Sequence, residues 1–555
     1  MTVPFDRRRS LERLAAERFD VLVIGGGITG CGTALDAAAR GLRTALVEAR
    51  DFASGTSSKS SKMVHGGLRY LQQHDYRLVY EALHERQRLL TNAPHLVHPL
   101  PFLVPLFGKD GVVSKSVAKA YSVALWTYDL TGGIRIGKRH RRLDASEALR
   151  HFPSIRTDQL VASFLYWDAQ ADDARLTLAI ARTAAEHGAV LANYSPVAEI
   201  VQERGRVAGA VLADGTRIQA GVVVNAGGVW SEKVATLDGH AAGSPVAIRP
   251  AKGIHLTVPA SKLPCDFAAV LAVPGDRRSV FVVPWAADEA EGPDGSRRFT
   301  YIGTTDTDYD GPLDDPQCDA GDVEYVLRAV NRWTSAGLTP ADVTGSWAGL
   351  RPLISDARSS RTADLSRRHS VTTSPNGLVT VTGGKLTTYR LMAADTVGAA
   401  LRVLPDAKGA RRRSSTARLS LAGAPVSAPS SGRDSGDPVS QHLSGRYGSE
   451  AAEIARLCRE LPGLADPISD SLPYLKAEAV FAARHEMAFT LDDVLSRRTR
   501  ARILDREAAA SAASSVAQLL AAELGWDGGE TARQLAAFEA GIESDRRAFQ
   551  ELASR

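Results

Sequence analysis

Three glycines spaced Gly25-x-Gly27-x-x-Gly30 follow a β-branched run, Val21, Val23 and Ile24. An alanine-rich stretch then leads to a second apolar run, TALVE, that ends on Glu48. Each residue type has a chemical reason. Gly25 permits a tight turn, Gly27 lets the backbone approach a pyrophosphate, and Gly30 lets a helix pack closely on a strand. The helix start that carries Ile28 and Thr29 turns its N–H groups toward phosphate oxygens. Glu48 stands where a carboxylate accepts from a ribose hydroxyl. Strand, glycine turn, helix, strand and terminal acid together predict a dinucleotide-binding βαβ unit.

The next residues favour FAD as the dinucleotide. Residues 53–70, ASGTSSKSSKMVHGGLRY, are small, hydroxylated and glycine-bearing, where an NAD enzyme ordinarily continues into another βα unit. Thr56, Ser57, Ser58, Ser61 and the turn Gly66-Gly67-Leu68 are expected to lie along a long, buried cofactor. YSPVAEIV (194–201), with Val197, returns the chain to this core. Two further strand ends carry glycines: VVVNAGGVW (222–230), with Ala226 and Gly227, and LVTVTGGKLTTYR (378–390), with Gly384, Lys385, Leu386 and Thr387. Glycine-bearing strand ends separated by hundreds of residues imply one site assembled from distant segments.

Cationic residues adjoin these motifs. Arg69, Arg351 and Lys385 each sit beside a glycine motif, and forked guanidinium donors pair bidentately with phosphate oxygens. Arg69 and Arg351, with Tyr70, therefore suit a phosphorylated substrate; the competing reading is a pair of structural ion pairs. His255, in AKGIHL, is of a type that titrates near neutral pH and can act as general base. His65, beside Gly66-Gly67, is its competitor and is read as orienting flavin or substrate. Gly383-Gly384 before the helix start LTTYR aims N–H groups and a helix dipole at developing negative charge. Lys385 adds a full charge to that edge or binds the substrate, and the two roles stay open.

Taken together, GTSSKSSKMVHGGLRYL, NAGGVW, AKGIHL (251–256), IGTTDTDYDG (302–311), GLRPL (349–353) and GGKLTTYR resemble the FAD-dependent, quinone-linked glycerol-3-phosphate dehydrogenases. The resemblance runs from about Phe19 to Val397 and resumes around 474–505. It implies an α/β fold: a Rossmann-like flavin domain of the glutathione-reductase and amino-acid-oxidase type, an α+β substrate domain and a helical C-terminal cap. The implied reaction is oxidation of sn-glycerol 3-phosphate to dihydroxyacetone phosphate, with hydride moving to flavin N5 and electrons passing to a membrane quinone. His255, Arg351 and Lys385 are then the catalytic residues, and Arg69, Tyr70, His65 and Arg351 the substrate contacts. An oxidase that reduces dioxygen to hydrogen peroxide shares almost every motif. A flavoprotein that senses glycerol phosphate without turnover is a third reading, which the presence of both a base and a clamp disfavours.

The bulk of the chain fits a large enzyme. At 555 residues it exceeds a single core, and a net charge of +4 does not suggest a nucleic-acid partner. The four cysteines show neither metal spacing nor a pairing pattern, so no metal is expected and a reducing compartment is. No apolar run reaches 18 residues, and the N-terminus lacks a signal-type apolar segment. The expected location is cytoplasmic, peripheral on the inner face of the plasma membrane, with a homodimer an open possibility. Two basic runs are candidates for the membrane face: residues 138–142 (KRHRR) after an aromatic helix, and residues 497–502 (RRTRAR). The second is also a candidate structural segment.

The elements that must position these residues are readable in outline. Flavin parts are expected at about 15–95, 150–235 and 340–404, and a substrate part at 236–339. A serine-, glycine-, proline- and arginine-rich linker is expected at 405–440, and helices at 441–555. Residues 71–93 have helical spacing up to Pro94, and 114–140 read as a helix on the surface of the flavin domain.

Overall fold

The computed structural model describes residues 5–68, 75–108, 115–158, 160–238, 247–276, 278–285, 298–354, 368–404, 413–425 and 437–554. The dinucleotide unit forms as the glycine spacing requires. Strand Arg18–Ile24 runs parallel to Thr44–Val47 on one side and to Arg217–Asn225 on the other, with helix Ile28–Ala39 between the first two. Val190–Ala192 and Val379–Gly383 extend this parallel core, and the antiparallel strand His369–Thr373 and the hairpin Val197–Glu203/Arg206–Leu212 complete an eight-stranded sheet. Its central parallel strands are largely buried on both faces, which is why they read as continuous apolar runs.

A second, ten-stranded sheet is mostly antiparallel. Ile248–Pro259 pairs along its length with Gly345–Ile354 and with Phe299–Gly303, and Val97–Phe107 pairs with Leu160–Ala171. This sheet draws Leu160–Ala171 and Gly345–Ile354 from stretches expected in the flavin part, because long-range register, not adjacency in sequence, decides which apolar runs pair. Val97–Phe107 forms a strand although it carries Pro99, Pro101 and Pro105. They fall at alternate positions, so the missing N–H groups lie along one edge of the strand; the strand Ala268–Ala272 pairs with it at Phe102 and Leu103 alone. Helix Lys115–Leu130 packs Leu125 and Tyr128 into the core shared with this second sheet, not onto the flavin sheet as expected. Helix Tyr76–Asn92 stops at Ala93, just before Pro94.

Beyond Asp437 the chain is helical, ending in Arg506–Leu524 and Gly528–Ala553, each started by an aspartate side chain that accepts from the first turn. Part of the expected linker is packed: within 413–425, Thr416 and Leu421 are buried and Leu421 N–H donates to Asn92 O. At its far end Asp437 already caps helix Pro438–Tyr447, and residues 405–412 and 426–436 lie outside the described set.

The basic run at 497–502, one candidate membrane face, is instead buried and ion-paired. Arg498 donates both terminal nitrogens to Asp51 at 2.6 and 2.9 Å, and Arg497 reaches the same carboxylate at 2.6 Å. Arg500 donates to Asp173 at 2.6 Å and to the Ser58 carbonyl at 2.7 Å. Arg502 pairs with Asp545 at 2.7 Å. Burial raises the Asp51 carboxyl, but Arg498 and Arg497 outweigh that and hold it below its ordinary range. The stabilisation is therefore complete above the unfolded carboxylate value of about 4 and is lost as pH falls below it. Arg498→Ala leaves a buried carboxylate short of its partner and is expected to destabilise the holoprotein by about 3–5 kcal/mol in urea unfolding. Arg13→Ala, at the surface pair Arg13–Glu17, is expected to cost at most about 1 kcal/mol. Equal effects of the two substitutions would contradict this account of the cap.

Candidate active site

A cleft of about 540 Å3 opens between the two sheets, lined by the ends of the parallel strands, the loop 54–65 and the glycine turn at 383–384. It gathers most of the residues expected from sequence: Gly25, Gly27, Ile28, Thr29, Glu48, Thr56, Ser57, Ser61, Val197, Ala226, Gly227, Gly384, Lys385, Leu386 and Thr387, with His65, His255 and Arg351.

The others are placed elsewhere. Gly30 sits behind the cleft, where an added Cβ would lie 1.8 Å from the Gly25 carbonyl oxygen, so its role is close packing. Ser58 is buried and its carbonyl accepts from Lys62 and Arg500. Gly66 N–H donates to Tyr128 Oη and Asp168, Gly67 supplies a left-handed bend at φ +79°, and Leu68 packs on the neighbouring core. Arg69 and Tyr70 lie outside the described residues.

The cradle has the shape a dinucleotide needs. Gly25 has φ +116°, and a Cβ there would meet Ala226 O at 2.6 Å. Helix Ile28–Ala39 begins at Gly27 with no side-chain cap, and its Ile28 N–H is held by Ser57 Oγ at 2.9 Å. Glu48 accepts from Gly26 N–H at 2.5 Å and Arg50 N–H at 2.9 Å. Burial pushes its carboxyl up against the opposing pull of those donors. The remaining lone pairs of the carboxylate are compatible with a ribose hydroxyl. On the far side, Gly383 and Gly384 both have positive φ, and a Cβ on Gly384 would meet Met392 Sδ at 2.4 Å. Lys385 stands at the start of the turn Leu386–Thr388 that runs into helix Tyr389–Val403.

The loop hydroxyls that line the cleft also bond within the protein. Thr56 Oγ1 donates to Leu350 O at 2.6 Å, Ser57 holds Ile28, and Ser61 Oγ meets His255 Nε2 at 3.0 Å. These polar groups are tied to protein partners, because a loop threaded between two sheets must satisfy its own hydrogen bonds.

The second sheet brings the chemistry to one face. Register places Ala251 opposite Arg351, Gly253 opposite Gly349, and His255 opposite Trp347, with Gly303 beside His255 on the other flank. A Cβ on Gly253 would meet the Arg351 guanidinium at 2.6 Å, one on Gly303 the His255 ring at 2.1 Å, and one on Gly349 the Lys59 carbonyl at 2.4 Å. The three glycines thus let a guanidinium, an imidazole and the cofactor loop lie flat on the sheet. Arg351 is aimed by Thr304 Oγ1 at 2.9 Å and Thr305 O at 3.1 Å, with Asp306 at 3.4 Å. His255 stacks on Trp347, rings 4.7 Å apart and 9° from parallel. Its Nδ1 is buried and has no hydrogen-bond partner among the described residues. Burial, then Lys62 and Arg351, hold this imidazole well below its ordinary range. That corrects the expectation of titration near neutral pH: the ring stays neutral there. His65 enters through its backbone, whose N–H donates to Thr387 Oγ1 at 3.2 Å. In the sequence, Gly253, Gly303 and Gly349 fall inside the quoted motifs without a role of their own, and Trp347 falls outside them. The signal was present as alternation, since Trp347, Gly349 and Arg351 occupy every second position, as do Gly253 and His255.

Fold and cleft define an FAD-dependent oxidoreductase. The family model described as FAD dependent oxidoreductase (DAO) matches residues 20–390, and that of the C-terminal domain of alpha-glycerophosphate oxidase matches residues 414–531. The chain is 40% identical over 557 residues to glycerol-3-phosphate dehydrogenase 2 of Mycobacterium tuberculosis, spanning 98% of this chain and 91% of that one. It is 37% identical over 562 residues to the mitochondrial glycerol-3-phosphate dehydrogenase of Homo sapiens, spanning 95% and 74%. The structure of glycerol-3-phosphate dehydrogenase from Bacillus halodurans complexed with FAD superposes with a TM-score of 0.76 at 29% identity, covering 97% of both chains. The chain belongs to the FAD-dependent glycerol-3-phosphate dehydrogenases, and its cofactor is FAD.

Gly30→Val is expected to yield protein without flavin, because the side chain cannot fit against Gly25. Ser57→Ala removes one hydrogen bond at the helix start and is expected to weaken FAD binding by roughly 2–10-fold, the equivalent of about 0.5–1.5 kcal/mol. Absorbance of the purified protein and cofactor titration of the apoprotein test both; a yellow Gly30→Val protein would contradict the packing argument.

Proposed function

We propose that this enzyme oxidises sn-glycerol 3-phosphate to dihydroxyacetone phosphate and passes the electrons to a membrane quinone. The observation that carries the reading is the shared face of His255 and Arg351 on the sheet wall of the cleft, opposite the glycine cradle. FAD, when bound, supplies the hydride acceptor at N5. Gly25, Gly27, Ile28 and Thr29 would hold its pyrophosphate, Glu48 a ribose, and Gly384, Lys385, Leu386 and Thr387 the flavin end. Arg351, with Arg69 and Tyr70, binds the substrate phosphate, and His65 orients flavin or substrate. His255 takes the proton of the C2 hydroxyl, with Ser61 Oγ against its ring at 3.0 Å. A neutral imidazole is ready for this at physiological pH without first losing a proton.

Among the described residues no helix is long and apolar enough to cross a membrane, so quinone access calls for a docking face. Helix Lys115–Leu130 leaves Val123, Trp126 (50% exposed) and Leu130 (80% exposed) on one stripe. Lys138, Arg139, Arg141 and Arg142 are exposed beside it. Apolar side chains flanked by cations suit an anionic bilayer surface on the inner face of the plasma membrane.

Anaerobic addition of glycerol 3-phosphate is expected to bleach the flavin, and a quinone analogue to restore it faster than air does. Rapid stoichiometric peroxide release instead would identify an oxidase. His255→Gln is expected to slow flavin reduction by about 100-fold or more in single-turnover stopped flow. Arg351→Ala is expected to lower kcat/KM by roughly 10–100-fold while sparing flavin content. Wild-type rates in either variant would remove that residue from the mechanism. In flotation with anionic liposomes, Trp126→Ser with Leu130→Ser is expected to abolish binding, and unchanged flotation would move the docking face elsewhere.

A further inference from the structure

The tripeptide Ser60-Ser61-Lys62 of the cofactor loop lies across the aromatic surface that carries the base. Trp347 Nε1 donates to Ser60 O at 3.1 Å, Tyr301 Oη donates to Ser61 O at 2.9 Å, and Ser61 Oγ meets His255 Nε2 at 3.0 Å. Lys62 follows with its ammonium 4.6 Å from the centre of the Trp347 indole, the ring on which His255 stacks. That ammonium is 2% exposed and is pinned by Asp173 at 2.9 Å and by the Ser58 carbonyl at 3.1 Å. Asp173 in turn holds Ser60 through both N–H and Oγ, and Arg500 of the cap at 2.6 Å. A buried cation is costly unless its partners are fixed, and here its hydrogen-bonding partners belong to the loop and to the helix that starts at Asp173.

We propose that Lys62 is a positioning residue for His255: held by Asp173 and Ser58 against the Trp347 indole, its ammonium fixes the stack that places the imidazole and sets the electrostatic field the imidazole works in. The inference rests on the reading of His255 as the base. The charged groups facing the imidazole are Lys62 from the loop and Arg351 from the neighbouring strand, and after burial both push it away from protonation. The groups facing Lys62 are Arg500 from the cap and Asp172 and Asp173 at the helix start. Burial and then Arg500 bring Lys62 down to about 8, against the pull of the two aspartates. The ammonium is thus largely present at neutral pH, where the reaction needs an unprotonated ring. Removing it relieves the like-charge effect, so the imidazole titrates at a higher pH and the base form is lost earlier on acidification.

The test is stopped-flow reduction of the enzyme-bound flavin by glycerol 3-phosphate, across pH, in wild type, Lys62→Met, Lys62→Arg and His255→Gln. The acid-side midpoint is expected to move up by roughly one pH unit in Lys62→Met and to stay at the wild-type value in Lys62→Arg, which keeps the charge. Superimposable Lys62→Met and wild-type profiles overturn the proposal, as does an equal shift in both variants, the mark of lost packing alone. If His255→Gln reduces flavin at the wild-type rate, the base assignment itself has failed. If His255→Gln is slow and Lys62→Met is unshifted, the base stands and the role of Lys62 falls. Should Lys62→Met not accumulate as holoenzyme, the nitrogen resonances of isotopically labelled histidine in wild-type holoenzyme decide. The His255 signal, identified by its absence in His255→Gln, is expected to stay neutral well below its ordinary pH range, and titration near 6.5 overturns the proposal.

Discussion

The structure turns on three cations that water barely reaches. Arg498, Arg500 and Lys62 are all 2% exposed or less, and a desolvated charge survives only with its counter-charge and hydrogen bonds in place. Their partners are Asp51, Asp173 and the Ser58 carbonyl, which bracket the loop between the dinucleotide unit and the second sheet. The loop therefore has one conformation compatible with these pairings, and that conformation presents Ser57 to the helix start and Ser61 to His255. A segment composed of serine, glycine and lysine has little intrinsic structure of its own; here buried electrostatics supply what propensity does not. The C-terminal helices are part of the active-site architecture in this sense, although most of their side chains are far from the cleft.

Around that constraint the two sheets divide the work. The parallel sheet offers backbone at its strand ends, with glycines that leave the cleft open there. The antiparallel sheet offers side chains, with Gly253, Gly303 and Gly349 cleared so that Arg351 and His255 can lie flat. On the proposed reading of His255 as the base, a neutral, buried imidazole stacked on Trp347 is weaker than a solvated one but better placed, and placement contributes more than basicity when the proton must leave along a fixed direction.

How much of this the sequence disclosed follows from the range of the interactions concerned. The dinucleotide unit was legible because its turn, helix start and terminal acid lie within thirty residues and each glycine has a local reason. Trp347, Gly349 and Arg351, by contrast, gain meaning from pairing with a strand nearly a hundred residues earlier, and a register is invisible until both strands are known. The arginines at 497–502 were the hardest to read. A run of charges ordinarily marks a solvated face, and only the distant carboxylates of Asp51, Asp173 and Asp545 reveal that this one is interior. The titration of His255 was likewise set by burial and by Lys62, neither of which the AKGIHL motif displays.

The pairing of Asp51 with Arg498 spans 447 residues of chain, and this ordering in sequence has a consequence for biogenesis. Translation at about 5–20 residues per second separates the two partners by roughly 20–90 seconds. During that interval the βαβ unit emerges and can fold, while Asp51 and Asp173 still wait for their guanidinium groups. The loop that closes the cofactor cradle cannot settle into these pairings until the segment carrying Arg498 and Arg500 has left the ribosome. Closure of the flavin cradle is thereby deferred until that segment has emerged, long after the glycine turn that begins it.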